Sequence, residues 1–136
     1  MADYSNIQSN TVPIGAISAT GTLALRNIFR APDDAVLVDL NLINGTAKAV
    51  ATSTDYGIYR VWNRGAAGAT GTLLDTTTTA TTGGYAMAAD TAFGLLRAVT
   101  NANRELSAGD LIHIEILGND SDDGGDLDAE SAVIVD

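Results

Sequence analysis

Apolar and polar residues alternate along parts of the chain, and a spacing of two is typical of a β-strand with one buried face. The clearest segment reads Asp110-Leu-Ile-His-Ile-Glu-Ile116. Its three isoleucines share one side of the strand, whereas His113 and Glu115 take the other. A slip of one residue would turn all three isoleucines outward, so the pairing register is well specified. We expect the isoleucines in the core and His113 at the surface or in an interface.

Two earlier segments alternate in the same way and also predict strands. In residues 22–30 the parity predicts that Leu25 and Phe29 face the core together with Leu23, while Ile28 is off the pattern. In residues 36–42 every second residue is apolar, which predicts a single strand with four side chains in the core, namely Val36, Val38, Leu40 and Leu42.

Further strands are predicted where short apolar or threonine-rich runs lie between turn-forming residues. They cover residues 14–19, 55–62, 70–76, 93–99 and 131–135. Asn44-Gly45 suits a tight hairpin turn, and no segment has the 3.6-residue period of a helix. About eight short strands with regular turns predict an all-β fold, an antiparallel β-sandwich that is jelly-roll-like. An immunoglobulin-like sandwich is the alternative.

The first residues of the chain differ from the rest because they are polar and end at Pro13, which has no N–H to donate to a β-ladder. We therefore expect an extended N-terminal arm over residues 1–13 and a single β-sandwich domain over residues 14–136. An arm outside the core is suited to holding a partner chain. The side chains expected to make that contact are Tyr4, Ile7, Val12 and Ile14.

The composition excludes several kinds of chemistry. The 136-residue chain has no cysteine and one histidine, which excludes disulfides, Cys nucleophiles and zinc sites built from several histidines. Seventeen acidic residues against seven basic ones give a net charge of −10, which argues against contact with nucleic acid. No apolar run approaches the ~18 residues of a membrane span. No nucleophile with a neighbouring base is indicated, so we expect no enzyme activity.

Much of the acidity lies in residues 119–130, which hold six acidic residues and no basic one. Calcium prefers carboxylate and carbonyl oxygens, and the candidate ligands are Asp120, Asp122 and Asp126. The spacing departs from that of an EF-hand, because Gly124 stands at the fifth position and no glutamate stands at the twelfth. The alternative is a solvated loop that holds no metal, and no other cofactor is expected.

Aromatic residues and arginines offer two further candidates for binding. Tyr56 and Trp62 share a parity and are placed to stack on a sugar, as in carbohydrate-binding modules. The alternative is that they pack within the sheets, with Tyr59 facing the other way. Six arginines against one lysine favour fixed ion pairs or a protein interface.

Three segments resemble small virion proteins of tailed bacteriophages, the capsid decoration or cement proteins. They read Asp34-Ala-Val-Leu-Val-Asp-Leu-Asn-Leu-Ile-Asn-Gly-Thr46, Thr54-Asp-Tyr-Gly-Ile-Tyr-Arg-Val-Trp-Asn-Arg-Gly65 and Leu106-Ser-Ala-Gly-Asp-Leu-Ile-His-Ile-Glu-Ile-Leu117. The resemblance extends over residues 34–135 as a pattern. It implies a jelly-roll or related β-sandwich that forms a homotrimer and binds the major capsid protein. It brings no catalytic residue.

We therefore expect a structural virion protein on the outer surface of the capsid. It would bind its own copies and the major capsid protein, and it would stabilise contacts between capsid subunits. Neither nucleic acid nor a membrane is an expected partner. Two other roles stay open at this point, a component of a tail fibre or head fibre, and a carbohydrate-binding or host-adhesion module.

Overall fold

The computed structural model describes residues 8–18, 23–47, 56–68, 71–80, 82–118 and 126–136. These residues form ten β-strands and one four-residue helix, which confirms the predicted all-β class. No helix among them is long and apolar enough to cross a membrane. The elements are β1 (Asn10–Pro13), β2 (Leu23–Arg30), β3 (Ala35–Val36), β4 (Leu40–Ile43), β5 (Gly57–Asn63), β6 (Thr72–Thr78), β7 (Phe93–Gly94), α1 (Asn101–Arg104), β8 (Glu105–Leu106), β9 (Leu111–Gly118) and β10 (Ala132–Val135).

The strands form two four-stranded antiparallel sheets and one small ribbon. The first sheet has the order β1-β10-β4-β7, the second has the order β2-β9-β5-β6, and β3 pairs with β8. When the ribbon is left out and the other eight strands are numbered along the chain, the sheets read 1-8-3-6 and 2-7-4-5. This interleaving of two Greek keys is the strand order of a jelly roll, as the sequence predicts.

The core lies between the two sheets and draws side chains from both. Ile112, Ile114 and Ile116 of β9 are fully buried, which confirms the predicted register of that strand. From the facing sheet, the ring of Phe93 packs edge-on against Tyr59 with 5.8 Å between centroids. Burial of each such side chain contributes roughly 1.5–3 kcal/mol to folding, and edge-to-face aromatic pairs add to this.

The sandwich begins earlier in the chain than the sequence predicts. Residues 10–13 form β1 at the edge of the first sheet, where Val12 lies opposite Val133, so these residues belong to the sandwich and not to an arm. The strand predicted over residues 14–19 is wrong in its described part, because Ile17 makes only an isolated bridge there. The sequence does not predict strand β1 because Val12 is its one aliphatic residue, so residues 10–13 show no alternation. Pro13 is tolerated there because it ends an edge strand.

Strand β2 carries a bulge, so that Phe29 packs against the core as predicted and Leu25 does not. The pairing with β9 shifts between Asn27 and Phe29, and a bulge sets two residues opposite one. Ile28 is therefore buried, whereas Leu25 is 47% exposed. The prediction that Leu25 faces the core is wrong, because the alternation of two does not pass unchanged through the extra residue.

The predicted single strand over residues 36–42 is divided into two. Strand β3 ends at Val36 and β4 begins at Leu40, so the alternation does not continue between them. Leu40 and Leu42 are buried as predicted, but Val36 and Val38 are 55% and 56% exposed while the intervening Leu37 is buried. The prediction of core positions is wrong for these two valines.

The predicted hairpin at Asn44-Gly45 is also wrong. Strand β4 pairs with β10 and β7, not with the next long strand β5. Asn44 is fully buried, and its side-chain oxygen accepts a hydrogen bond from the backbone N–H of Asp128. Asn44 therefore anchors the segment that leads into β10 instead of closing a tight turn.

Candidate interaction surface

Strand β9 is central in the second sheet, so its outward side chains are flanked by those of β2 and β5. Arg60 lies opposite Glu115 and Trp62 lies opposite His113, and opposite residues on antiparallel strands share a face. Arg64 follows β5 and reaches back over the same face, where its guanidinium contacts Glu115. We call these five residues the arginine face.

Glu115 is held between two guanidinium groups. Its Oε1 accepts a hydrogen bond of 3.1 Å from Nη2 of Arg64, and its Oε2 lies 3.7 Å from Nη1 of Arg60. The Glu115 side chain is 11% exposed, and burying a carboxylate costs free energy that contacts with cations offset. Two cations against one anion leave an excess positive charge on the arginine face.

Arg64 also covers the ring of Trp62. Its guanidinium carbon lies 4.6 Å from the ring centroid, which is a cation–π contact. The Trp62 indole N–H is buried and has no hydrogen-bond partner among the described residues. The predicted sugar platform needs a free ring face, and Arg64 occupies one face of Trp62. Tyr59, which the sequence placed on the opposite side of β5, lies in the core.

His113 is nearly buried, so of the two predicted positions the exposed surface is wrong, and a position in an interface stays a prediction. Its Nδ1 lies 3.0 Å from the side-chain oxygen of Asn27 on β2, while its Nε2 is buried without a hydrogen-bond partner among the described residues. Burial lowers the pKa of His113 below its ordinary value, the charge of Arg64 lowers it further, and the charge of Glu115 opposes this. The imidazole is therefore mainly neutral at pH 7.

Two exposed leucines flank the arginine face, one on each side. Leu25 of β2 lies opposite Glu115, and Leu73 of β6 lies opposite Trp62; their exposures are 47% and 40%. The alternation in the sequence indicates neither as outward-facing, because the pairing of each strand contains a register shift that changes which residues face outward. The result is an outward face with charge at its centre and apolar side chains at its margins.

A second surface has the opposite charge. A groove of about 1170 Å³ runs along residues 32–38 and the β3–β8 ribbon, and its lining includes Phe29, Val36 and Val38. Among the described residues, no lysine, arginine or histidine lines it. Its acidic residues are Asp33, Asp34, Glu105 and Asp136. We call this surface the acidic groove.

The side chains predicted to contact a partner from an arm are only partly described. Val12 is partly buried and packs against the chain's own core, and Ile14 belongs to that core. Tyr4 and Ile7 lie outside the described residues. Because Val12 and Ile14 contact the chain's own core, the predicted contact with a partner chain stays a prediction for Tyr4 and Ile7 only.

The predicted calcium ligands are also only partly described, since Asp120 and Asp122 lie outside the described residues. Asp126 is half-buried. Burial raises the pKa of the Tyr59 phenol well above its ordinary value, and the negative charge of Asp126 raises it further. Within the described part of the chain, no three His, Asp or Glu side chains are grouped so that they would hold a metal ion.

Comparisons with known proteins give little beyond this geometry. No family model matches the chain, and no curated protein matches it in sequence. Among solved structures, it is similar to a chain in the structure of infectious bursal disease virus, Gx strain, with 14% identity and a TM-score of 0.42. The similarity covers 94% of this chain and 32% of that one, so the chain spans about a third of the length of the solved chain.

Proposed function

We propose that the chain is a structural virion protein, specifically a capsid decoration or cement protein of a tailed bacteriophage. In this role it binds the major capsid protein on the outer surface of the head and stabilises contacts between capsid subunits. It also associates with its own copies, as a homotrimer. The proposed role is non-catalytic and needs no cofactor.

One observation carries this proposal: the jelly roll displays two surfaces, the arginine face and the acidic groove, that have the composition of protein interfaces. Tryptophan and arginine are enriched at the centres of such interfaces. Arg60 and Arg64 are already held by Glu115, so little side-chain freedom remains to be lost on binding. Because jelly rolls also occur in lectins, the fold alone does not select the function.

The net charge supports the outer surface over the interior. A chain with a charge of −10 is repelled by packed nucleic acid, whose phosphates favour basic partners. A position outside the shell avoids that repulsion. The resemblance of residues 34–46, 54–65 and 106–117 to decoration proteins points to the same location.

The proposal is tested by adding the purified chain to empty, expanded heads of the phage whose genome encodes it, prepared without the chain. We expect the chain to sediment with the heads at a saturating stoichiometry and to raise the temperature at which the heads open. Cryo-electron microscopy of the same particles should show it at regular positions on the outer shell. Failure to sediment with heads, or density confined to tails or fibres, would overturn the proposal.

A further inference from the structure

We infer that the arginine face of one copy binds the acidic groove of a second copy, so that copies associate head to tail. This inference rests on the proposed self-association and specifies the two surfaces that make the contact. It follows from where the exposed apolar side chains lie, from the signs of the two surfaces, and from the size of the groove.

The exposed apolar side chains are concentrated in these two surfaces. Among the described residues, five large apolar side chains are substantially exposed. Leu25 and Leu73 flank the arginine face, and Val36 and Val38 line the acidic groove. The fifth, Tyr85, packs its ring against the guanidinium of Arg97 at 3.8 Å. Clusters of exposed apolar residues mark contact sites on soluble proteins.

The charges decide which surface meets which. Two arginine faces in contact would bring guanidinium groups together, and two acidic grooves in contact would bring carboxylates together. Repulsion between like charges therefore disfavours contact between two surfaces of the same kind. A face against a groove pairs Arg60 and Arg64 with Asp33, Asp34 and Glu105. Contact between unlike surfaces is heterologous and extends to a closed ring or an open chain.

The size of the groove favours a protein over a small molecule. Its volume of about 1170 Å³ exceeds the range of roughly 300–1,000 Å³ that is usual for small-molecule pockets. The described part of its wall combines apolar side chains with carboxylates and includes no cationic residue. The guanidinium of Arg104 lies next to this wall, where it donates hydrogen bonds to the backbone oxygens of Leu37 and Val38. The leucines and arginines of the arginine face supply both kinds of complementary group.

The first experiment measures the association of the purified chain by sedimentation velocity. The wild-type protein should self-associate, and L25Q/L73E and V36K/V38K should each raise the dissociation constant by about tenfold or more. All four positions are exposed, so both variants should keep the wild-type circular dichroism spectrum. Ala89 is exposed outside both surfaces. A89E matches the charge change of L25Q/L73E, A89K tests the effect of an added lysine elsewhere on the surface, and both should associate like the wild type.

The second experiment mixes the two variants and isolates the heterologous contact. L25Q/L73E retains an intact acidic groove and V36K/V38K retains an intact arginine face. The mixture should therefore form a 1:1 heterodimer at a protein concentration at which each variant alone is monomeric. This result also shows that both variants are folded. Wild-type protein that stays monomeric, a mixture that stays monomeric, or association of either variant alone as tightly as the wild type would overturn the inference. Binding to heads is measured separately, so a failure here is distinguishable from a failure of the proposed role on the capsid.

Discussion

His113 shows how a single side chain couples the fold to pH. It is nearly buried between Asn27 of β2 and Trp62 of β5, with Arg64 and Glu115 close by. The nearby charges sum to a cation-rich environment, and Nε2 has no acceptor among the described residues. Protonation would place a further positive charge next to Arg64 and would give Nε2 a proton with no described acceptor, and burying such a charge costs free energy.

We predict that the free energy of unfolding falls as the pH is lowered from 7 towards 5. The folded-state pKa of His113 lies below the ordinary value of 6.5, so the unfolded chain takes up the proton first. The stability that depends on neutral His113 is full above pH 6.5 and is lost as the pH falls through the lowered folded-state pKa. Urea unfolding of the wild type and of His113→Gln across this range tests it. Equal pH dependence in the two proteins would contradict the prediction.

At the scale of elements, alternation predicts strands well only where a strand runs without interruption. Strand β9 has its three core isoleucines as predicted, because it is long and unbroken. Leu25 and Val38 do not follow the prediction, because a bulge and an irregular segment change the phase and leave no mark on the hydrophobic pattern. Local sequence cannot specify which residue a neighbouring strand will leave unpaired.

The arginine face could not be assembled from the sequence for a related reason. Trp62, Arg60 and His113 stand out individually as candidates, but the contact between Arg64 and Glu115 joins residues 51 positions apart. It depends on β5 pairing with β9, which is a matter of topology. The sequence pattern predicts the class of fold, whereas the order of strands determines which polar residues become neighbours.

Gly71 is an element-scale test of the junction between β5 and β6. It has φ +72°, and a Cβ built there would clash with the backbone oxygen of Asn63. Gly68 has a similar φ of +66° but open space around it. We predict that Gly68→Ala costs about 1 kcal/mol of unfolding free energy from backbone strain alone, whereas Gly71→Ala costs about 3 kcal/mol or more because the chain must also shift.

Equilibrium urea unfolding measures both glycine variants under identical conditions. The difference between them isolates the steric contact with Asn63, since the two positions share the same region of backbone conformation. Equal losses of stability would show that the turn relaxes freely and that the close approach of the two strand ends is not maintained.

At the scale of the whole molecule, charge is separated between the second sheet and the rest. The strands of that sheet and the loop after β5 carry four of the six arginines and two acidic residues. The other described residues carry ten acidic residues and two arginines. Repulsion among the acidic residues destabilises the folded state of a single copy. The separation of charge also favours association with a second copy in the orientation that brings opposite charges together.

We predict that sodium chloride acts in opposite directions on folding and on association. Screening weakens repulsion in an acidic chain, so the melting temperature of the dissociated L25Q/L73E variant should rise with salt. The same screening should raise the dissociation constant of the wild type, because its contact joins opposite charges. Thermal unfolding and sedimentation velocity over one salt series measure both effects. A dissociation constant that is independent of salt would contradict the charge pairing.

A calcium titration separates general screening from a specific metal site in residues 119–130, which we call the acidic loop. Asp126 already interacts within the chain, and the loop departs from the spacing of known calcium loops. We therefore predict that calcium chloride raises the melting temperature of the dissociated variant no more than sodium chloride at equal ionic strength. A bound ion would stabilise the fold by mass action, by about 2.7 kcal/mol at a hundredfold excess over its dissociation constant. A larger rise with calcium that Asp126→Asn removes would contradict the prediction and would assign the loop a metal, because screening does not depend on one carboxylate.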